Sequence, residues 1–269
     1  MTTNGFNFSS IRALIIDIDG TLFRGDAPLP GIAELFVFLR QRGIAHVVAT
    51  NNTTETPAQY RHKLAEAGVT LEVGQILTAG VATAAYLQRE LPPGAPLFVI
   101  GEAALRQVLL EAGFALVANA GQPVAAVVVG GDSGLTYDKL KVAVLHLQRG
   151  ARLVGANPDL LIPKEEGLIP EAGVTLAALQ AATGLTPTVI GKPERLLFEL
   201  ALARLGSVAA HTAMLGDRLE TDVWGAQRVG LKTVLVTTGV DNAATAAAKG
   251  IEPDAIVDGL AELVEMWSK

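Results

Sequence analysis

The stretch Ala13-Leu-Ile-Ile-Asp-Ile-Asp-Gly-Thr21 joins a short apolar run to a polar turn that carries two acidic residues. Ala13 to Ile16 is wholly apolar and rich in branched side chains, which is typical of a strand buried on both faces in a parallel sheet. Asp17 therefore directly follows the carboxyl end of a buried strand. Ligands of open parallel sheets bind at this edge, so the stretch predicts both a fold and a site.

Three further apolar runs end in the same way, on residues suited to binding a phosphate group. They are His46 to Ala49, followed by Thr50 and Asn51; Thr188 to Ile190, followed by Gly191 and Lys192; and Thr212 to Leu215, followed by Gly216 and Asp217. Because parallel strands present their carboxyl ends at one edge, we expect these four endings to converge on one crevice.

The amino-acid composition excludes several classes of protein and of chemistry. The chain has 269 residues, 50% of them hydrophobic, which is enough to bury the core of one or two domains. The formal net charge is −6, and no basic run is present, which argues against a general nucleic-acid binder. The absence of cysteine excludes thiol nucleophiles and leaves oxygen or imidazole as ligands for any metal.

The sequence shows no feature of a membrane protein. The polar stretch from Met1 to Ser10 lacks the pattern of a secretory signal, and no apolar run approaches the roughly 18 residues needed to cross a bilayer. We therefore expect a cytoplasmic protein without a membrane partner.

Strand-like and helix-like segments alternate almost throughout, which predicts a βαβ architecture in the α/β class. The candidate chemistry occupies residues 17–51 and 192–222. The segment between them has its own series of strands, Leu97 to Ile100, Ala125 to Val129 and Arg152 to Gly155, separated by helices. We interpret residues 80–187 as an inserted second domain, and residues 1–79 and 188–269 as the core.

Two carboxylates separated by one residue suit a reaction in which one attacks and its neighbour moves a proton. Asp17 is suited to attack phosphorus and form an acyl phosphate. Asp19 would then protonate the leaving oxygen and later deprotonate the attacking water.

Lys192 and a hard cation bound by Asp17 and Asp217 would neutralise the charge of the substrate, and Mg²⁺ is the expected ion. Thr50 and Asn51 supply neutral donors, and Gly20 lets the backbone approach the phosphate.

Four ordered runs resemble the motifs of the haloacid dehalogenase superfamily of phosphatases, in particular its NagD-like and 4-nitrophenylphosphatase subgroup. They are Asp17-Ile-Asp-Gly-Thr21, Thr50-Asn51-Asn52, Gly191-Lys192-Pro193 and Gly216-Asp-Arg-Leu-Glu-Thr-Asp222. Four motifs in order are far more specific than any one alone. The resemblance implies a Rossmann-like three-layer core around a parallel sheet, with an inserted α/β cap domain.

The resemblance also implies the roles of individual residues. The nucleophile would be Asp17 and the acid/base Asp19, with phosphate bound by Thr50, Asn51 and Lys192. Mg²⁺ would be held by Asp17, the main-chain carbonyl of Asp19 and Asp217, with Asp222 orienting a metal-bound water. In the predicted cap, Asn157 and Asp159 match the subgroup and would face the substrate, whereas Glu171 stands where a glycine is expected.

The predicted function is Mg²⁺-dependent hydrolysis of a small phosphorylated metabolite, and of 4-nitrophenyl phosphate, through an aspartyl-phosphate. Two alternatives share this chemistry: a phosphotransferase or mutase that passes the phosphoryl group to another acceptor, and a signalling protein whose aspartate is phosphorylated without turnover. Analogy with the subgroup adds the expectation of a homodimer formed through the cap.

Overall fold

The computed structural model describes residues 6–164 and 167–268. In these residues the chain alternates strands and helices, as the sequence predicts. The strands are β1 Ala13–Ile16, β2 Phe23–Arg24, β3 Ala27–Pro28, β4 Ala45–Thr50, β5 Ile76–Thr78, β6 Pro96–Ile100, β7 Ala115–Val117, β8 Ala126–Val129, β9 Arg152–Gly155, β10 Leu161–Lys164, β11 Gly167–Pro170, β12 Thr188–Val189, β13 Thr212–Gly216, β14 Lys232–Val236 and β15 Ala255–Val257.

The helices are short and follow the strands. The α-helices are α1 Ile32–Gln41, α2 Pro57–Glu66, α3 Ala79–Glu90, α4 Ala103–Glu111, α5 Tyr137–Gln148, α6 Ala172–Thr183, α7 Arg195–Leu205, α8 Gly225–Gln227, α9 Ala243–Lys249 and α10 Leu260–Ser268. Single turns of 3₁₀-helix span Phe8–Ser10, Val73–Gln75 and Ala209–His211, and a π-helix spans Leu219–Trp224. Across residues 6–164 and 167–268, no helix combines the length and the apolar character needed to traverse a bilayer.

Local chemistry sets several helix ends. The hydroxyl of Thr136 accepts a hydrogen bond from the amide of Lys139 at the start of α5, and the side chain of Asn242 caps α9 in the same way. Helix α7 ends at Gly206, whose φ of 59° places it in the left-handed region that favours glycine. These ends return the chain to the sheet for the next strand.

The first sheet has six strands in the order β15-β14-β13-β1-β4-β5. Strand β1 lies in the middle, parallel to β13 on one side and to β4 on the other. All four residues of β1 are buried, as the unbroken apolar run predicts. Helices α1 and α10 pack together beside this sheet, and α7 packs against β4. The predicted α/β, Rossmann-like architecture is confirmed.

The second sheet has five strands in the order β12-β9-β8-β6-β7, and its described pairings are parallel. It has its own core of buried side chains, including Phe98, Val127 and Leu176. Strands β10 and β11 form a separate antiparallel hairpin. The strands predicted from the apolar runs between residues 97 and 155 are present to within one residue.

The chain divides into two compact units that interleave in sequence. The first unit comprises the residues up to Thr50, Pro57–Leu77 and the residues from Lys192 onward, and the second comprises Asn51–Thr56 and Thr78–Gly191. The second unit therefore includes three segments that the sequence analysis placed in the core. They are Asn51–Thr56, the pair Thr78 and Ala79, and residues 188–191, which contain β12; this strand pairs with β9 rather than with the first sheet.

Candidate active site

Three of the four predicted strand endings lie side by side in the first unit. Strand β1 is the neighbour of both β4 and β13, with Ile16 level with Val48 and with Leu215. Asp17 therefore leaves the sheet between Thr50, the last residue of β4, and Asp217, the residue after β13. Adjacent parallel strands in register bring these side chains to one edge because every strand ends in the same direction.

Lys192 reaches this edge by a different route from the one predicted. The strand before it, β12, belongs to the second sheet, whereas the sequence analysis placed residues 188–269 in the core. The side chain of Lys192 nevertheless donates hydrogen bonds to Asp17 Oδ1 at 2.5 Å and to Asp222 Oδ1 at 2.6 Å. It also donates to the carbonyl of Ala49 at 3.1 Å. The lysine is 2% exposed, so these acceptors replace its hydration.

Asp17, Asp217 and Asp222 form a buried carboxylate cluster. One oxygen of each lies within 4.8 Å of the other two. Asp222 belongs to the π-helix, in which the amides of Asp222 and Val223 both donate to the carbonyl of Arg218. This wide turn directs the carboxylate of Asp222 toward the beginning of the π-helix. There Asp222 Oδ2 accepts a hydrogen bond of 3.1 Å from the amide of Arg218, the residue that precedes the helix. Wide turns of this kind are frequent at functional sites.

Burial and mutual repulsion make the cluster electrostatically unfavourable when all its members are ionised. Burial raises the pKa of Asp17 well above its usual value; Lys192 lowers it, while Asp222 and Asp217 raise it further. Burial also raises the pKa of Asp217, and the neighbouring charge of Asp222 adds to this effect. Burial would lower the pKa of Lys192, but Asp17 and Asp222 more than offset it, so the pKa is raised and the ammonium is charged at neutral pH.

The donor set of the cluster fits a hard divalent cation. Three carboxylates face one contacting ammonium, which leaves an excess of two negative charges in a buried space. Repulsion of this kind is relieved by a bound cation, and carboxylate oxygens are the ligands that such cations prefer. Burial, together with this repulsion, raises the pKa of Asp17 and of Asp217.

Asp19 lies at the same edge, in the turn that follows β1. Its Oδ2 accepts a long hydrogen bond of 3.4 Å from the hydroxyl of Thr50. Burial raises the pKa of Asp19, and the nearby charges of Lys63 and Lys192 act in the opposite direction. A raised pKa lets a carboxyl group hold a proton at a higher pH, which suits a general acid.

Two glycines allow the backbone to approach Asp217. Gly20 has φ +83°, in the left-handed region, and a Cβ atom on it would lie 2.3 Å from Asp217 Oδ2. On Gly239 the corresponding distance is 1.9 Å. Glycine is required at both positions because any side chain would collide with the carboxylate. Gly20 was predicted to admit a phosphate, and in the structure its backbone lies against Asp217.

Gly20→Ala is expected to lower the free energy of unfolding by about 1–3 kcal/mol and to weaken metal binding. Both the positive φ and the collision with Asp217 oppose the new methyl group. Gly25→Ala is the matched control, since Gly25 has φ +59° with no atom within 4 Å of the added Cβ. Urea unfolding and Mg²⁺ titration of both variants would separate the two effects. Equal metal affinity in the two variants would contradict the collision argument.

The other three predicted site residues, Asn51, Asn157 and Asp159, lie together in the second unit. Asn51 Nδ2 donates to Asp159 Oδ2 at 3.3 Å, and the amide of Asp159 donates to Asn157 Oδ1 at 2.8 Å. Asn51 and Asn157 are buried. Glu171, which stands where the resemblance leads one to expect glycine, occupies the N-cap position of α6 beside Gly131.

The sequence analysis missed several residues that support the site. The hydroxyl of Thr238 donates to the carbonyl of Gly20 at 2.7 Å, and Asp241 accepts from the amide of Leu219 at 2.9 Å. Both follow β14, the neighbour of β13, so a fifth apolar run ending on polar residues was the available signal. Lys63, on α2, had no comparable signal, although it donates hydrogen bonds to Gly25 and Asp26 in the turn between β2 and β3.

Two models of known protein families match this chain, one over the residues around Asp17 and the other over those around Lys192 and Asp217. A model described as haloacid dehalogenase-like hydrolase matches residues 14–115, and a second, HAD-hydrolase-like model matches residues 189–263. The chain belongs to the haloacid dehalogenase-like hydrolase family. Within that family it is a NagD-like phosphatase, as the following relatives show.

The relatives match over almost the whole chain. An acid sugar phosphatase of Staphylococcus aureus is 37% identical over 242 residues, which cover 90% of this chain and 92% of the relative. The crystal structure of a 4-nitrophenylphosphatase from Thermotoga maritima superposes with a TM-score of 0.90 at 31% identity, covering 96% of this chain and 98% of that one. NagD from E. coli K-12 gives a TM-score of 0.84 at 30% identity, with 94% and 98% covered. The predicted class, a phosphoric monoester hydrolase, is confirmed.

Proposed function

We propose that this protein hydrolyses phosphomonoesters of small metabolites through an aspartyl-phosphate formed on Asp17, with Mg²⁺ as cofactor. The observation that carries the proposal is the buried contact of Lys192 with both Asp17 and Asp222, inside a cluster completed by Asp217. A buried ammonium between carboxylates, with negative charge still in excess, suits the joint binding of a cation and a phosphate.

In the first step a carboxylate oxygen of Asp17 attacks phosphorus. The new bond joins this oxygen to phosphorus, and the bond from phosphorus to the leaving oxygen breaks with its electron pair. Asp19 gives its proton to that oxygen, so that the product leaves as a neutral alcohol. The raised pKa of Asp19, caused mainly by burial, supports its protonated form at the start of the cycle.

In the second step water attacks phosphorus while Asp19, now ionised, takes its proton. The bond between phosphorus and Asp17 breaks, which releases inorganic phosphate and restores the carboxylate. Lys192 holds Asp17 in place through both steps with its 2.5 Å hydrogen bond. Its positive charge offsets the charge that the phosphoryl group brings.

The proposed cofactor would be held by the carboxylates of Asp17 and Asp217 and the main-chain carbonyl of Asp19, with Asp222 beside it. When bound, Mg²⁺ would supply positive charge that polarises the phosphoryl group and neutralises the buried carboxylates. Thr50 and Lys192 would bind the remaining phosphate oxygens, together with Asn51, which directly follows Thr50 in the chain.

The names of the relatives support a small substrate. One relative is an acid sugar phosphatase and another is a 4-nitrophenylphosphatase. We infer that 4-nitrophenyl phosphate is accepted and that the natural substrate is a small phosphorylated metabolite. The second unit, which contains Asn157 and Asp159, would select among such metabolites.

The test is release of phosphate from a panel of phosphomonoesters and 4-nitrophenyl phosphate, with Mg²⁺ or with EDTA. Metal-dependent release that returns when Mg²⁺ is added to the EDTA-treated protein is the expected result. Equal rates in EDTA and in Mg²⁺ would contradict the role of the metal. Including acceptor alcohols extends the test, since phosphorylated alcohols would favour transfer over hydrolysis.

Asp19→Asn is expected to lower kcat by about 100- to 10,000-fold, the usual contribution of general acid–base catalysis. The loss should be smaller for 4-nitrophenyl phosphate than for an alkyl phosphate, because 4-nitrophenolate leaves without needing a proton. Steady-state rates on both substrates measure the difference. An equal loss on the two would show that Asp19 does not protonate the leaving group.

A further inference from the structure

Asp241 is a buried acidic residue outside the four motifs. It lies after β14, whose neighbour β13 leads to Asp217. Its side chain is 3% exposed, although the residue stands in a loop. Charged side chains are rarely buried to this extent unless several partners satisfy them.

The carboxylate of Asp241 holds the beginning of the π-helix. Its Oδ2 accepts a hydrogen bond of 2.9 Å from the amide of Leu219, the first residue of that helix. Its Oδ1 accepts a hydrogen bond of 2.9 Å from Lys249, which also forms a 2.8 Å ion pair with Glu220. The helix that carries Asp222 is thus fixed at its first two residues.

The backbone of the same loop holds Asp217. The amide of Asp241 donates to the main-chain carbonyl of Asp217 at 3.0 Å, and the amide of Val240 donates to Asp217 Oδ2 at 2.8 Å. Asp241 therefore links two elements. One is the loop whose amides hold Asp217, and the other is the π-helix that carries Asp222. Asp217 and Asp222 are two of the three carboxylates in the buried cluster.

We propose that Asp241 is a positioning residue that sets the separation and orientation of Asp217 and Asp222 for metal binding. This inference rests on the proposed function, since that function places the metal at the cluster. Metal affinity depends strongly on groups that orient the ligands, and their loss costs about 10- to 100-fold. Without the carboxylate, the amide of Leu219 loses its acceptor and Lys249 keeps only its ion pair with Glu220, so the start of the helix is held less firmly.

The test measures Mg²⁺ affinity in Asp241→Ala by two readouts. The first is the rise in melting temperature as Mg²⁺ is added, which reports binding without turnover. The second is the Mg²⁺ concentration that gives half-maximal hydrolysis of 4-nitrophenyl phosphate. We expect both to shift to about tenfold higher Mg²⁺, with KM for the substrate at saturating Mg²⁺ changed less than twofold.

Asp254→Ala is the matched control. Asp254 also accepts from a backbone amide, that of Thr233, and from a lysine, Lys232, in the same unit. It makes no described contact with the carboxylate cluster, so its loss should lower stability and leave Mg²⁺ affinity unchanged. A general loss of stability would therefore affect both variants, whereas a positioning role affects only Asp241→Ala.

Asp241→Asn and Lys249→Met keep the test decisive if the alanine variant does not fold. Asparagine retains an acceptor for the amide of Leu219 but loses the charge that Lys249 contacts, so an intermediate affinity is expected. Mg²⁺ affinity within twofold of wild type in the Asp241 variants would overturn the inference. If wild type itself shows neither Mg²⁺-dependent stabilisation nor Mg²⁺-dependent turnover, the proposed function fails first, and the inference falls with it.

Discussion

Asp17→Asn is expected to lower kcat by about 10,000-fold or more, the scale of loss that accompanies removal of a catalytic nucleophile. The amide has the shape of the carboxylate and can still accept the hydrogen bond from Lys192, but it cannot form the acyl phosphate. Turnover of 4-nitrophenyl phosphate at saturating Mg²⁺ measures the effect. Wild-type protein quenched in acid during turnover should carry one phosphoryl group on the peptide that contains Asp17, and the variant should carry none.

The stability of this variant provides an internal control. Because burial raises the pKa of Asp17, the ionised form is disfavoured in the folded state, and removing the charge at pH 7 should maintain or increase stability. Thermal unfolding in EDTA is therefore expected to give a melting temperature no lower than that of wild type. Activity close to wild type would rule out Asp17 as the nucleophile, and a large fall in melting temperature would contradict the electrostatic account.

Lys192→Met is expected to cause the second largest effect, because it affects folding as well as catalysis. Its loss leaves Asp17 and Asp222 buried without their cation, which costs about 3–5 kcal/mol of stability in comparable cases. We expect kcat to fall about 1,000-fold, the scale seen when one donor to the developing charge is removed. Urea unfolding and steady-state rates at saturating Mg²⁺ measure the two effects.

Two controls define the result for Lys192. Lys192→Arg keeps the charge but must fit a planar guanidinium between the two carboxylates, so stability should recover more fully than activity. Lys232→Met removes an exposed lysine paired with Asp254, and such pairs contribute about 1 kcal/mol or less. A Lys192→Met variant as stable and active as Lys232→Met would show that the buried ion pairs have little effect.

Much of the fold could be predicted from local sequence. The apolar run of β1 is buried on both faces, and the predicted strands between residues 97 and 155 occur to within one residue. Such runs are informative because a strand inside a parallel sheet has no solvent face, so burial alone fixes its composition. Asp17 and Asp217 follow β1 and β13, and Thr50 ends β4, so all three lie at the carboxyl ends of neighbouring strands of one sheet, as the apolar runs predicted.

The sheet to which the strand before Lys192 belongs could not be predicted from local sequence. Thr188 to Ile190 has the composition of a buried strand, but β12 pairs with β9 in the second sheet. Asn51–Thr56 likewise belongs to the second unit, although it directly follows Thr50. Strand β12 lies at the edge of that sheet, with Thr188 exposed and Val189 half-buried. Local composition predicts that a segment forms a strand, but it does not show which of two sheets the strand joins, because either sheet can satisfy the same backbone hydrogen-bonding groups.

The sequence by itself determined the class of fold and the alternation of strands and helices along the chain, and it supplied the residues that we propose for phosphoryl transfer. Each of these follows from short-range pattern: burial of apolar runs, polar residues at strand ends, and ordered motifs. Only the tertiary structure decided that Lys192 bridges Asp17 and Asp222. It also decided that Asp241 contacts both the carbonyl of Asp217 and the amide of Leu219. Those contacts link residues from 22 to 175 positions apart, and their strength comes from shared burial, which no local pattern of sequence encodes.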